Sequence, residues 1–231
     1  MEFVEKYRLG IFLVLIAFWL FFVIKHYNKV RNKPKKTITT RFIVRVAVFG
    51  AISAILYTVP FLKFSVPIFP TFLEFHFDEI PIFIAGFAYG PWAALAIIFV
   101  RTIIKMPMTS TLCVGEFADL VFSIAFIIPA AIIYKYKRTL IGAIVSIIIG
   151  MFIQFIVAIL GNVYVMVPFY MQLFGLDEAG ILAFFPPAIT DIKWSYAFLG
   201  VLPFNLIKNT AVIIVTMLTY KPLRRVIDRA K

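Results

Sequence analysis

Asn205 and Lys208 stand three residues apart in the run Leu202-Pro203-Phe204-Asn205-Leu206-Ile207-Lys208-Asn209, at the head of an apolar stretch long enough to cross a bilayer. Three apart on a helix, they share one face. Lys or Asn facing lipid is costly, so such a pair turns toward a bundle interior or a water-filled cavity, where it binds something polar. Asn162, Glu116 and Asp119 fall at the ends of two other apolar runs. With the spans oriented as below, the five polar groups come from three helices and face one depth, enough for a small-molecule site with donors, acceptors and aromatic walls.

Each residue also has a plainer reading. Glu116 fits a helix N-terminus, where the dipole favours an acid. Lys208 can snorkel to water. Asn162, after Gly161, fits a helix C-cap. Arg101 and Lys105, four apart before Pro107, read as snorkelling residues at an interface. The aromatics Phe69, Phe72, Phe75, Phe77, Tyr164 and Tyr170 can stack on a flat ligand or form an interfacial belt.

Catalytic patterns are missing. The chain has no Gly-rich phosphate loop ending in Gly-Lys-Ser/Thr, no HExxH and no Gly-x-Ser-x-Gly; His26 and His76 stand apart, and Cys113 is the single cysteine. An enzyme is not expected, no metal or cofactor is implied, and nucleotide-driven work would have to come from partners.

The elements that must position these residues are membrane helices. With 63% hydrophobic and 15% charged residues in 231, and a mean hydropathy of +1.00, the chain is an all-α polytopic membrane protein. The net charge of +12 clusters beside apolar spans, which points to the positive-inside pattern rather than to nucleic acid. Residues 9–24 read as an uncleaved first helix with its N-terminus outside, followed by a basic cytoplasmic linker; residues 1–41 then form one unit and 42–231 another. Residues 42–59 form the next span. Residues 61–78, with three prolines, form a structured external loop, and 80–88 and 92–106 form two short helices broken at Gly90-Pro91. Two short helices, rather than one kinked one, keep both basic stretches, 134–138 and 221–231, in the cytoplasm. The spans 116–133, 139–162 and 196–220 follow, with 163–195 external, for about seven crossings in all.

Residues 47–54 place Ala47 four from Ala51 and Gly50 four from Ala54, a face that lets another helix approach closely, either within the chain or on a partner.

Four stretches carry a resemblance: Phe75-His76-Phe77-Asp78-Glu79-Ile80-Pro81, Ile84-Ala85-Gly86-Phe87-Ala88-Tyr89-Gly90-Pro91, Gly115-Glu116-Phe117-Ala118-Asp119 and Leu202-Pro203-Phe204-Asn205-Leu206-Ile207-Lys208. Together they resemble the substrate-binding S components of energy-coupling factor (ECF) vitamin transporters, in particular the riboflavin-binding branch, over residues 42–223. The resemblance implies a six-helix core without ATPase activity in the plasma membrane of a prokaryote; the extra N-terminal transmembrane helix lies outside that core, and the basic stretches put the C-terminus in the cytoplasm. It implies a first external loop lidding an outward-facing site, with riboflavin as the transported ligand and no cofactor. Asn205, Lys208 and Asn162 would bond the isoalloxazine edge or the ribityl hydroxyls. Glu116, Asp119, Phe75, Phe77 and Tyr164 complete the expected site. The face of Ala47 and Ala51, with Gly50 and Ala54, would dock the coupling transmembrane subunit, which carries two ATPase subunits. The sequence departs from the pattern in its extra helix, in a longer stretch before the last span, and in Asp119, where an amide is expected. Another vitamin such as thiamine or pantothenate, flavin mononucleotide, or a membrane assembly role without a ligand are the alternatives.

Overall fold

The computed structural model describes residues 39–70, 72–109 and 111–229, with side chains described to residue 220. The expected helix at 9–24, its basic linker and the side chains of the basic C-terminal stretch lie outside these. Among the described residues the backbone is helical apart from turns, loops and a lone antiparallel pair, Phe64 with Phe75.

Helix α1 is Thr40–Thr58, α2 Glu79–Tyr89, α3 Pro91–Lys105, α4 Val114–Tyr136 and α5 Leu140–Gly161. The boundaries have local causes. Gly90 closes α2 at φ 98°, which favours glycine, and Pro91 opens α3, where its missing N–H is no loss. The hydroxyl of Thr139 accepts from the Gly142 N–H at 3.0 Å and caps α5.

The helix does not end at Asn162, where the expected span stops. A π-helical turn, Asn162–Met166, carries α5 into α6, Val167–Phe174, so Leu140–Phe174 is one apolar helical rod. At 1.5 Å per residue its 35 residues reach about 52 Å, well beyond a ~30 Å hydrocarbon core. Packing is the reason: Val163, Met166, Val167 and Tyr170 are buried against Ile181, Phe185, Ile189 and Tyr196. Asn162 is therefore not a C-cap. Short helix α7, Glu178–Leu182, starts from Asp177, whose carboxylate accepts from the Gly180 N–H. A second π-helical turn, Tyr196–Val201, leads into α8, Leu202–Arg229.

Five described helical stretches are long and apolar enough to span: Thr40–Thr58, Pro91–Met108, Val114–Tyr136, Leu140–Phe174 and Tyr196–Tyr220. Helix α2, with 11 residues and a rise of about 16 Å, is too short to span alone and is buried along most of its length. Its first residue, Glu79, is buried within the protein, and backbone that breaks off at membrane depth is tolerated where protein covers it. Residues 59–78 form the loop that leads into α2, with Asp78 fully buried at the junction. The described residues form an all-helical, multi-pass membrane fold of six core helices, α5 and α6 counting as one rod.

Candidate functional site

A cavity of about 520 Å³ opens where the 59–78 loop, α3, α4, the α5–α6 rod and α8 meet. This volume suits a small organic ligand. Asn162, Asn205, Lys208, Glu116 and Asp119, from α8, α4 and the rod, all line it. Four of them are largely buried, at 4 to 6% exposure, while the Asp119 side chain keeps 30% open to the cavity.

The amides are held by a ladder. Gln154 donates to the Asn205 side-chain oxygen at 2.7 Å, and Asn209 donates to the Gln154 oxygen at 2.9 Å. Asn205 donates to the Val201 carbonyl, and Asn162 donates to the Ala158 carbonyl and accepts from Tyr196 Oη at 3.1 Å. An amide carries two N–H donors and an oxygen with two lone pairs, so Asn162 and Asn205 each keep one N–H and one lone pair. Glu116 accepts from the hydroxyls of Thr109 and Thr111 at 2.8 and 3.2 Å, which fix its carboxylate at the edge of the cavity.

Beside the ladder sits a charged cluster. Arg101, fully buried, pairs with the fully buried Asp78 carboxylate, places its guanidinium 4.7 Å from the Tyr57 ring centre and donates to Ser123 at 3.3 Å. It is not a snorkelling residue: the loop brings Asp78 to it inside the protein, and pairing there replaces water. Lys105 also turns inward, lining the cavity with its ammonium 5.4 Å from the same ring. His76 is not isolated; it bonds Asp78 through Nδ1 and lies 3.2 Å from Lys208 Nζ through Nε2. Burial, and next the Lys208 cation, hold His76 down to about 3, so its imidazole is neutral. Tyr57 donates to Asp119, and Lys208 lies 3.9 Å from Glu79.

The aromatic wall differs from the expected one. Phe72, Phe122, Tyr170, Phe174, Phe184 and Phe204 line the cavity. Phe75 stands behind it, its ring 4.6 Å from that of Phe204 and stacked on Phe64 at 5.3 Å. Phe77 is half-buried away from the lining, and Tyr164 is 51% exposed on the outer side of the rod. The loop is tied across itself by Lys63, which donates to both oxygens of Glu74 at 2.8 and 2.7 Å.

The small-residue face of α1 divides. Gly50 and Ala54 are buried within the chain, and a Cβ on Gly50 would come within 2.9 Å of Val100 on α3. Ala47 and Ala51 face outward beside Val44, Val48, Ile52 and Ile55.

Tyr57, His76, Lys105 and Gln154 were not expected in the site. A lone Gln in the apolar run of α5 and two cations inside α3 were the available signals, since such groups in a membrane helix face protein or water.

Residues 41–220 match the family described as ECF transporter, substrate-specific component. The chain is 30% identical to the riboflavin transporter RibU of Staphylococcus aureus (strain TCH60) over 185 residues, covering 80% of this chain and 93% of that protein. It is 25% identical to the riboflavin transporter FmnP of Bacillus subtilis (strain 168) over 191 residues, 81% of this chain and 95% of that one. Among solved structures, one described as "Structure and mechanism of the S component of a bacterial ECF transporter" superposes with a TM-score of 0.64 at 26% identity, covering 80% of this chain and 96% of that chain. With a buried ligand-sized cavity inside six core helices and the family matched over most of its length, this chain belongs to the substrate-specific components of ECF transporters.

Proposed function

We propose that this chain captures riboflavin from outside the cell in the cavity between the 59–78 loop and α8, and hands it inward as the substrate-specific subunit of an ECF importer. The observation that carries this reading is the convergence of Asn162, Asn205 and Lys208 on one cavity with aromatic walls, in a chain 30% identical to a riboflavin transporter over four-fifths of its length. The isoalloxazine edge and the ribityl chain alternate donors and acceptors, which is what two half-satisfied amides and an ammonium can answer. Phe72, Phe122 and Phe204 offer faces for the ring system, in the role expected of Phe75, Phe77 and Tyr164. Glu116 and Asp119 accept ribityl hydroxyls.

Charge favours the vitamin over its phosphate ester. The lysines lining the cavity, Lys63, Lys105 and Lys208, are matched by Glu74, Glu116 and Asp119, so no net positive charge awaits a phosphate. Delivery requires a coupling transmembrane subunit with two ATPases. The outward face of Ala47 and Ala51 on α1 is the surface proposed to dock it, because small side chains let a partner helix come close. Residues 1–41 are proposed to be a separate membrane helix and basic cytoplasmic linker; unchanged insertion after deletion of the residues before Lys33 would count against an anchoring role.

The test is a visible spectrum of the full chain purified in detergent without added ligand, followed by titration with riboflavin, flavin mononucleotide, thiamine and pantothenate. Flavin absorbance, or saturable binding of riboflavin tighter than that of its phosphate, supports the reading. Binding of thiamine or pantothenate instead would replace the vitamin, and no binding of any would leave a membrane assembly role.

A further inference from the structure

His76 touches three parts of the molecule at once. Its Nδ1 bonds the carboxylate of Asp78, its Nε2 lies 3.2 Å from the ammonium of Lys208 on α8, and its ring packs 5.0 Å from that of Tyr57 on α1. Asp78 is itself fixed: Arg101 pairs with its other oxygen, and the Ser53 hydroxyl donates to its backbone carbonyl at 2.7 Å. The imidazole is 4% exposed at the cavity wall and Asp78 is fully buried, so the protein groups around them set the proton arrangement.

These contacts select one proton arrangement. With the proton on Nδ1, the ring donates to Asp78 and turns the Nε2 lone pair toward Lys208, so both bonds are satisfied. With the proton on Nε2, a lone pair would oppose the Asp78 carboxylate, the N–H would oppose the ammonium, and the remaining acceptor, Asp119 Oδ2, lies 3.7 Å away. An imidazolium could bond both carboxylates but would set a second cation 3.2 Å from Lys208 in a buried site.

We propose that His76 is a positioning residue for Lys208: Arg101 and Asp78 hold it in the Nδ1–H tautomer, and its Nε2 fixes the direction in which the ammonium enters the cavity. Lys208 has three N–H donors, and committing one to His76 aims the others at Glu79 and at the ligand. The four-carbon stem of a lysine is otherwise free to rotate, and an ordering contact made before the ligand arrives removes that cost from binding. His76 belongs to the loop and Lys208 to the last helix, so seating the loop and aiming the lysine become one event. This inference rests on the riboflavin reading for its binding arm only.

The experiment uses the full chain with 15N-labelled histidine. The sequence holds only His26 and His76, so the variant His26→Gln assigns the His76 signals. The proposal expects, without ligand at neutral pH, a protonated Nδ1 and an unprotonated Nε2, with the Nε2 resonance moving in Lys208→Met. A protonated Nε2, an imidazolium, or an Nε2 resonance indifferent to Lys208→Met overturns it. The second arm is a riboflavin double-mutant cycle. His76→Leu should weaken binding about tenfold or more, the range of a hydrogen bond to a charged group, and His76→Gln, which keeps an acceptor, should recover part of the loss. In the Lys208→Met background, His76→Leu should then change affinity less than about twofold. Equal losses in both backgrounds would make His76 merely structural and overturn the proposal. A wild-type chain that binds no riboflavin would refute the ligand, while the resonances still decide the role of His76.

Discussion

The two ends of the helical bundle solve opposite problems. At the far end, around the α2–α3 and α4–α5 turns, Phe83, Phe87, Phe126, Tyr134 and Tyr220 pack ring on ring, and the polar atoms in reach pair with each other, Tyr134 with Tyr220 at 2.8 Å. Helices α4 and α5 approach so closely that a Cβ on Gly150 would lie 2.2 Å from the Phe126 carbonyl oxygen. At the cavity end, the helices carry Arg101, Glu79, Lys208, Gln154 and Asn205 and the 59–78 loop adds His76 and Asp78, all buried, with Arg101 and Asp78 fully so. Buried charges are costly even when paired, and Glu79 Oε2 and Arg101 Nε have no hydrogen-bond partner among the described residues. The contrast teaches that one end holds the helices together while the other gives up stability to keep a polar, ligand-sized space open.

Substitutions that exchange these roles should separate stability from affinity. The largest effect is expected from Asp78→Ala, which strands the Arg101 guanidinium in a buried site; thermal unfolding in detergent should report a loss of about 3–5 kcal/mol, while Asp78→Asn with Arg101→Met should recover much of it. Gly150→Ala should cost about 1–3 kcal/mol through overpacking at the far end, with the riboflavin affinity of the folded fraction unchanged. Lys208→Met should act on affinity instead, weakening riboflavin about tenfold to a hundredfold in a quenching titration. Acidification should act progressively. The unfolded chain binds a proton on His76 near its ordinary 6.5, whereas the folded one resists until about 3, so the unfolded state holds the extra proton between these values. Stability should fall as pH drops through that window, and His76→Gln should flatten the slope. The groups facing His76 there are Asp78, Glu79, Asp119, Arg101, Tyr57 and Lys208. Tyr164→Ala, on the outer surface of the rod, should change affinity less than about twofold.

Much of this contrast can be read from the residues before any coordinates. Asn205 and Lys208 in an apolar span require a protein or water environment, and Gly90-Pro91 ends one helix and starts the next, as found. What local pattern cannot supply is the partner. Arg101 resembles a snorkelling cation until Asp78, 23 residues earlier, is placed against it, and His76 resembles a loop residue until Lys208, 132 residues later, faces it. The continuation of the helix past Asn162 escapes local pattern for a related reason. Its turn signals are weak, and helix continuation is decided by burial against residues 181–201, a contact no local window contains. Two residues apart on the helix, Asn162 and Tyr164 fall on opposite sides, which leaves Asn162 facing the cavity and Tyr164 facing away.

The central claim is that the cavity end is a flavin site built on Asn205 and Lys208, and the most direct measurement is quenching of riboflavin fluorescence by the purified full chain. The account predicts saturation at one riboflavin per chain, weakened in both Asn205→Ala and Lys208→Met while the two variants remain folded. Fluorescence that stays unquenched with the wild-type chain, or quenching indifferent to both substitutions, would contradict it.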